Sequence, residues 1–242
     1  MEPSVLLLLG IVIFLGSIFA TIAGGGLGIV IIIVLTFFLD IRASVVLVSL
    51  IGFFIQPAKI YHFRQFADWN IVRWYVLTGI PASFLGGLML FTLPQRIVEI
   101  LLGIFCLCFA AFRLWHPTFR VEPRIPTLLG MGAVNGLQGG AVGEAMLLRS
   151  PFLLSLGLKK EAFVGTSSII AFVMNIGKVT AYLPNVSWDR TTFSILAVAL
   201  LPIFAGVAIG KRCLRFVSHN AFEKLLLCVI TIGACKLLLI PS

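Results

Sequence analysis

The sequence predicts an all-α integral membrane protein built from two repeats of inverted topology. Its composition is the first reason: 60% of the 242 residues are hydrophobic, 11% are charged, and the mean hydropathy is +1.13. Soluble domains carry roughly a quarter charged residues. The apolar runs are long and continuous, unlike the alternating strands, roughly ten residues long, of a membrane β-barrel. Most of the chain is therefore expected to lie in a lipid bilayer.

Ten apolar segments form two sets of five. A polar, proline-bearing stretch, HPTFRVEPRIP, separates the sets at residues 116–126. This linker predicts one membrane repeat at residues 1–115 and a second at residues 127–242. In chain order, the apolar segments span residues 4–22, 27–39, 43–61, 71–93, 97–114, 126–138, 144–157, 162–182, 191–209 and 219–240.

Matching residues in the two sets are the second reason. GGGLG, at residues 24–28, matches GGAVG, at residues 139–143, with a shift of 115. Further along, Lys59 matches Lys178 and Trp69 matches Trp188 at a shift of 119. Because Trp and Lys are scarce in this chain, coincidence explains these pairs poorly.

The distribution of basic residues is the third reason. If the segments around each glycine cluster form a hairpin, one side of the membrane collects twelve Lys and Arg residues and the other five. If each cluster only interrupts one span, the same residues divide nine to eight. Cytoplasmic loops carry the excess of Lys and Arg, which favours the hairpins. Each repeat then crosses an odd number of times, so the repeats are inverted and both termini face outward.

The glycine clusters predict the tips of re-entrant hairpins. The arm at residues 27–39 would be about 20 Å long as a helix, shorter than a bilayer core of roughly 30 Å. The second helix of each hairpin begins after its glycines, with amide N–H groups that lack helical partners. Two such helix ends meeting in one cavity would attract an anion. Close helix packing through small residues is the alternative.

The two halves share an ordered set of motifs. The second half has GGAVG, then Pro151, then Thr166-Ser167-Ser168. The first half has GGGLG, lacks the proline and has Val48-Ser49-Leu50 in place of Thr-Ser. This set resembles the TauE/SafE family of sulfite and organosulfonate exporters, which repeats a glycine-rich hairpin, a proline-bearing return helix and a helix that opens with Thr-Ser. The resemblance covers nearly the whole chain and implies a secondary transporter of small sulfur-containing anions.

Polar residues at membrane depth are the predicted site. Arg149 offers a planar fork that suits sulfonate oxygens, although snorkelling or bracing a helix end is the alternative. Glu144 is a proton-coupling candidate, and a local salt bridge is its alternative. The predicted substrate-binding residues are Gly24, Gly25, Gly26, Gly28, Ser49, Gln56, Gly139, Gly140, Gly143, Arg149, Thr166, Ser167, Ser168 and Asn175.

Lys59 and Lys178 lie near the ends of their helices. That position favours snorkelling of their ammonium groups to opposite membrane surfaces. The alternative is a matched pair that attracts anions at the two mouths of a transport pathway.

The function expected from these features is alternating-access transport of a sulfite, thiosulfate or organosulfonate type of anion. A passive anion channel of the same fold is the alternative. No catalytic constellation or metal-ligand spacing occurs in the sequence, so neither an enzyme nor a cofactor is expected. The expected partners are the anion and membrane lipid. No nucleic-acid partner is expected, and whether the protein forms a homodimer is left open. The expected location is the bacterial inner membrane.

Overall fold

The regular secondary structure of the computed structural model is entirely helical in the residues that it describes. These are residues 3–22, 28, 31–32, 35–36, 39–94, 96–97, 100, 103–104, 107–108, 111–112, 115, 122–143, 145–158, 160–185, 190–213, 231, 235 and 238–239. Gly24, Gly25, Gly26, Glu144 and Trp188 lie outside this part of the chain, as do most of the predicted segments 27–39, 97–114 and 219–240.

Seven α-helices and no strand occur in these described ranges, which confirms the all-α prediction. Among the described residues, four stretches are long and apolar enough to cross a membrane: Ile41–Phe66, Trp69–Thr92, Glu161–Asn185 and Phe193–Cys213. The helices are α1 (Pro3–Ile22), α2 (Ile41–Phe63), α3 (Trp69–Thr92), α4 (Ile125–Val142), α5 (Met146–Ser155), α6 (Lys160–Tyr182) and α7 (Arg190–Cys213).

Helix boundaries follow the capping chemistry of the sequence. Asp40 begins α2 by accepting a hydrogen bond from the Ala43 amide, and Asp68 begins α3 by accepting bonds from the amides of residues 70 and 71. Such side chains satisfy amide groups that the first helical turn leaves without partners. Gly143 ends α4 with a φ of 84°, a left-handed conformation that glycine adopts without steric cost.

The helices α2 and α6 have the same length and are followed by the same short turn. Each has 23 residues, and α6 begins 119 positions after α2. A three-residue 3₁₀ turn follows each one, at Arg64–Phe66 and at Leu183–Asn185. The next helices, α3 and α7, each have 24 residues with a proline at the thirteenth position. The two halves therefore place their helical breaks at corresponding points.

The helices α2 and α6 cross in antiparallel directions. A Cβ added to Gly52 would lie 3.6 Å from the side-chain Nδ2 of Asn175. The ring centroids of Phe53 and Phe172 are 5.1 Å apart. Gly165, at the start of α6, packs on Phe63 at the end of α2. Residue numbers thus fall along one helix as they rise along the other.

Parallel pairs surround this crossing. In α4, glycines at every fourth position pack on the backbone of α3: Gly132 on Tyr75, Gly136 on Gly79 and Gly140 on Ser83. Small residues at this spacing let two helix backbones approach closely. In the other parallel pair, Gly206 and Gly210 of α7 lie against residues 14–21 of α1. The most extensive contacts therefore join helices of one half to helices of the other.

Several helix termini lie at the same end of the bundle. The Asp68 amide, before α3, donates to Thr166 Oγ1 near the start of α6, at 2.9 Å. Lys211, near the end of α7, lies 3.4 Å from the ring of His62, near the end of α2. Since α4 runs parallel to α3, the Pro126 end of α4 also belongs to this end of the bundle.

Candidate functional site

A cavity of about 70 Å³ lies where α2 and α6 face the ends of α1 and α4. A single water molecule needs roughly 10–15 Å³ measured this way, so the cavity has room for a small oxyanion or several waters. Its described lining residues are Ala20, Gly28, Ile31, Val48, Ser49, Ile51, Gly52, Ile55, Gln56, Lys59, Gly143, Ala145, Met146, Arg149, Ala171, Asn175 and Lys178.

Three basic side chains line this cavity. Lys59 is 2% exposed, Arg149 4% and Lys178 6%. No Asp or Glu occurs among the lining residues that the structure describes. Glu144 lies outside them but is the residue between Gly143 and Ala145, which both line the cavity. Among the described lining residues there are thus three basic side chains and no acidic one.

Both lysines hold the end of a neighbouring helix. The Lys59 ammonium donates to the Ala20 carbonyl, in the last turn of α1, at 2.9 Å. The Lys178 ammonium donates to the carbonyl of Gly143, which caps α4, at 2.7 Å. Carbonyl groups at a helix C-terminus carry partial negative charge, which an ammonium group stabilises. The prediction that these side chains snorkel to the membrane surface is wrong, because both point into the protein interior.

Arg149 projects from the short helix α5 toward α6. Its Nε donates to Ser167 Oγ at 3.1 Å, and the two residues are 4% and 1% exposed. Snorkelling of Arg149 is therefore also excluded. Asn135 of α4 donates to the Ala145 carbonyl just before α5, which fixes the start of the helix that carries Arg149. The cavity thus presents an Arg fork held by a buried hydroxyl group.

The structure brings about half of the predicted site residues to the cavity. Gly28, Ser49, Gln56, Gly143, Arg149 and Asn175 line it, and Ser167 contacts Arg149. Four others do not line it: Gly139 packs on Ala145, Gly140 packs on α3, Thr166 accepts from the Asp68 amide, and Ser168 is buried in α6. Gly24, Gly25, Gly26 and the coupling candidate Glu144 lie outside the described residues.

Sequence reasoning did not assign Lys59 and Lys178 to the cavity. Their shared spacing of 119 residues was the available signal, because it identifies them as one matched pair. The Lys59 partner, Ala20, is 39 residues away in the chain, and no local pattern connects the two.

Comparison with protein families identifies the family of the chain. A family model described as the sulfite exporter TauE/SafE matches residues 8–237. The chain belongs to the TauE/SafE family. Neither a curated protein nor a solved structure matches the chain. TauE/SafE membership together with the apolar helices identifies an integral membrane protein of a transporter family, and it implies export of sulfite or a related sulfur anion with a small anionic substrate.

Substitution of Gly143 tests how tightly the α4 end is packed beside the cavity. A Cβ at Gly143 would lie 2.5 Å from Val45 Cγ1, in addition to the strain of a positive φ. Gly157→Ala is the matched control, because Gly157 has a φ of 78° and no atom within 4 Å of the added Cβ. We expect Gly143→Ala to be the less stable variant by about 1–3 kcal/mol, the usual cost of overpacking. Equal thermal unfolding midpoints in detergent would contradict this packing.

Proposed function

We propose that the protein is a secondary transporter that moves a small sulfur-containing anion by alternating access through the cavity. One observation carries the proposal: Lys59, Arg149 and Lys178 all line a cavity of about 70 Å³. Ionisable groups are expensive to bury in a membrane protein, and they mark substrate pathways when they face a cavity. With three basic side chains and no acidic one among its described lining residues, such a cavity attracts a compact oxyanion.

Polar groups around the basic residues give the anion further donors. The side-chain amides of Gln56 and Asn175 belong to the lining. Ser49 also lines the cavity, but its hydroxyl donates to the Val45 carbonyl at 2.8 Å within α2. Backbone amides at the start of α5 follow Gly143 and Ala145, which are also lining residues. A helix N-terminus offers N–H groups and a favourable dipole to an anion. We propose that these groups fix the anion between Arg149 and the lysines.

An inverted repeat would supply the alternating motion. The equal lengths of α2 and α6, their offset of 119 residues and their antiparallel crossing support this symmetry. In the proposed repeat, α3 corresponds to α7 and α4 corresponds to α1. The parallel pair α3–α4 therefore has a counterpart in the parallel pair α7–α1. The ten-residue α5 would be about 15 Å long, half of the hydrocarbon core, which suits a re-entrant arm. In this mechanism two related halves rock around one central site.

Orientation in the membrane follows from the end of the bundle where helix termini gather. Lys160 begins α6, Arg64 follows α2, and Lys211 and Arg212 end α7. The positive-inside rule places such an end in the cytoplasm. We propose that the protein lies in this way in a bacterial inner membrane, with both chain termini outside. The labelling of single Cys variants by a membrane-impermeant reagent from one side tests this orientation.

Glu144 is the proposed site of proton coupling. It stands between two residues of the cavity lining, and its ionised carboxylate would repel an incoming anion. Protonation would remove that repulsion, so a proton and the anion would favour each other in the site.

Flux into proteoliposomes tests the transporter proposal. We expect saturable uptake of at least one of sulfite, thiosulfate and an organosulfonate such as ethanesulfonate, accelerated by a pH gradient. Liposomes without protein are the control. Flux that rises linearly with concentration and ignores the pH gradient would instead establish a passive channel. The absence of protein-dependent flux for all three anions would refute both versions.

A further inference from the structure

Lys59 and Lys178 hold equivalent positions in α2 and α6. Each is the fourth residue before the last residue of its helix, and the two helices run in opposite directions. The lysines therefore lie on opposite sides of the crossing point of these helices. Both nevertheless line the same cavity. A ligand in that cavity can be approached by one ammonium group from each side.

Each lysine also connects the cavity to a helix that leads into a glycine cluster. The Lys59 ammonium holds the Ala20 carbonyl, two residues before the end of α1, and the Gly24–Gly28 cluster follows. The Lys178 ammonium holds the carbonyl of Gly143, the last residue of the second cluster. Lys59 thus holds the helix end that precedes one predicted hairpin tip, and Lys178 holds the glycine cluster predicted as the other tip.

The chemistry of an ammonium group allows these two contacts to coexist. Lysine has three N–H donors on a flexible stem, so one donor can stay on the helix carbonyl while another reaches an anion. A hydrogen bond to an anionic oxygen is about twice as strong as a neutral one. An anion that takes such a bond fixes the ammonium, and a fixed ammonium holds its carbonyl partner more firmly.

We propose that Lys59 and Lys178 are positioning residues that connect the bound anion to the ends of α1 and α4. Occupancy of the cavity then stabilises both helix ends together, one through each lysine. This inference rests on the proposed function, because it takes the transported anion as the bridging ligand. It assigns the coupling between substrate and hairpins to two side chains that can be changed separately.

Hydrogen exchange of the protein in lipid nanodiscs, followed by mass spectrometry, tests this coupling with sulfite as the probe. In the unsubstituted protein, we expect saturating sulfite to slow exchange about fivefold at residues 18–22 and at residues 139–143, relative to equal chloride. In Lys178→Met, the effect at 139–143 should vanish while that at 18–22 remains. Lys59→Met should give the opposite pattern.

Lys211→Met is the matched control, because Lys211 is an exposed lysine at the end of α7 that is not part of the cavity lining. In this variant, sulfite should slow exchange at residues 18–22 and 139–143 as it does in the unsubstituted protein. If a methionine variant does not fold, the glutamine variant takes its place, since glutamine keeps a donor but loses the charge. The same one-sided loss of the sulfite effect is expected.

Two results separate this inference from the proposed function. The coupling through separate lysines would be overturned if sulfite still slowed hydrogen exchange at both helix ends in both lysine variants. It would also be overturned if one lysine substitution abolished the sulfite effect at both helix ends. The transporter proposal would stand in that case, because saturable sulfite flux measures it independently. Lack of saturable flux for every anion offered to the unsubstituted protein would refute the proposed function itself.

Discussion

Replacement of Arg149 by Gln is expected to lower kcat/KM for the transported anion about 100-fold. Arg149 is 4% exposed, lines the cavity and is held by Ser167 at 3.1 Å. Removal of one partner from a buried charged contact costs roughly 2–5 kcal/mol, and each 1.4 kcal/mol is a factor of ten. Initial rates of flux in proteoliposomes, measured over a range of anion concentrations, give this ratio.

Two further variants separate charge recognition from folding in that experiment. Arg149→Lys keeps the positive charge but loses the planar fork, so we expect an intermediate loss. Arg73→Gln is the control, since Arg73 is an exposed residue of α3 whose guanidinium contacts Asn70 and the Trp74 ring. It should transport as the unsubstituted protein does. A folded Arg149→Gln protein with unchanged kcat/KM would remove Arg149 from the anion site.

Replacement of Gly132 by Ala is expected to destabilise the protein strongly. A Cβ at Gly132 would lie 2.1 Å from the Tyr75 carbonyl oxygen and 2.8 Å from Thr78 Oγ1, so α3 and α4 would have to separate. Overpacking at such a contact costs about 3 kcal/mol. Thermal unfolding in detergent should show a large decrease in the midpoint, together with loss of monodisperse protein.

A second glycine of α4, two residues earlier, provides the control for this substitution. Gly130 belongs to the same helix, and a Cβ there would meet no atom within 4 Å. Because Ala is a better helix former than Gly, Gly130→Ala should leave stability unchanged or raise it by up to about 1 kcal/mol. Equal destabilisation by the two substitutions would show that the loss of helix flexibility, and not the approach of α3, is responsible.

Hydropathy predicted the helices well. The predicted segments 43–61, 71–93, 162–182 and 191–209 correspond to α2, α3, α6 and α7, with ends that differ by a few residues. A long apolar run is a local property of the sequence, and so is an Asp that caps the next turn. These elements could therefore be identified without any knowledge of their partners.

The cavity depends on contacts between distant parts of the chain, and these were only partly predictable. Arg149, Ser49 and Asn175 were predicted as site residues because buried polar groups are rare in membrane helices, and all three line the cavity. The lysines were misjudged because distance from a helix end does not reveal depth in the protein. Lys59 is near the end of α2, yet α1 extends far enough along it to cover the ammonium with Ala20.

The contacts between halves also constrain how the chain can be made. Helices α1, α2 and α3 pack most extensively on α4, α6 and α7, which the ribosome synthesises later. N-terminal domains often fold first during synthesis, but here the first helices are made before the helices on which they pack. We therefore expect a half-inserted stage in which the face of α3 that later receives the glycines of α4 is open to lipid, chaperones and membrane proteases.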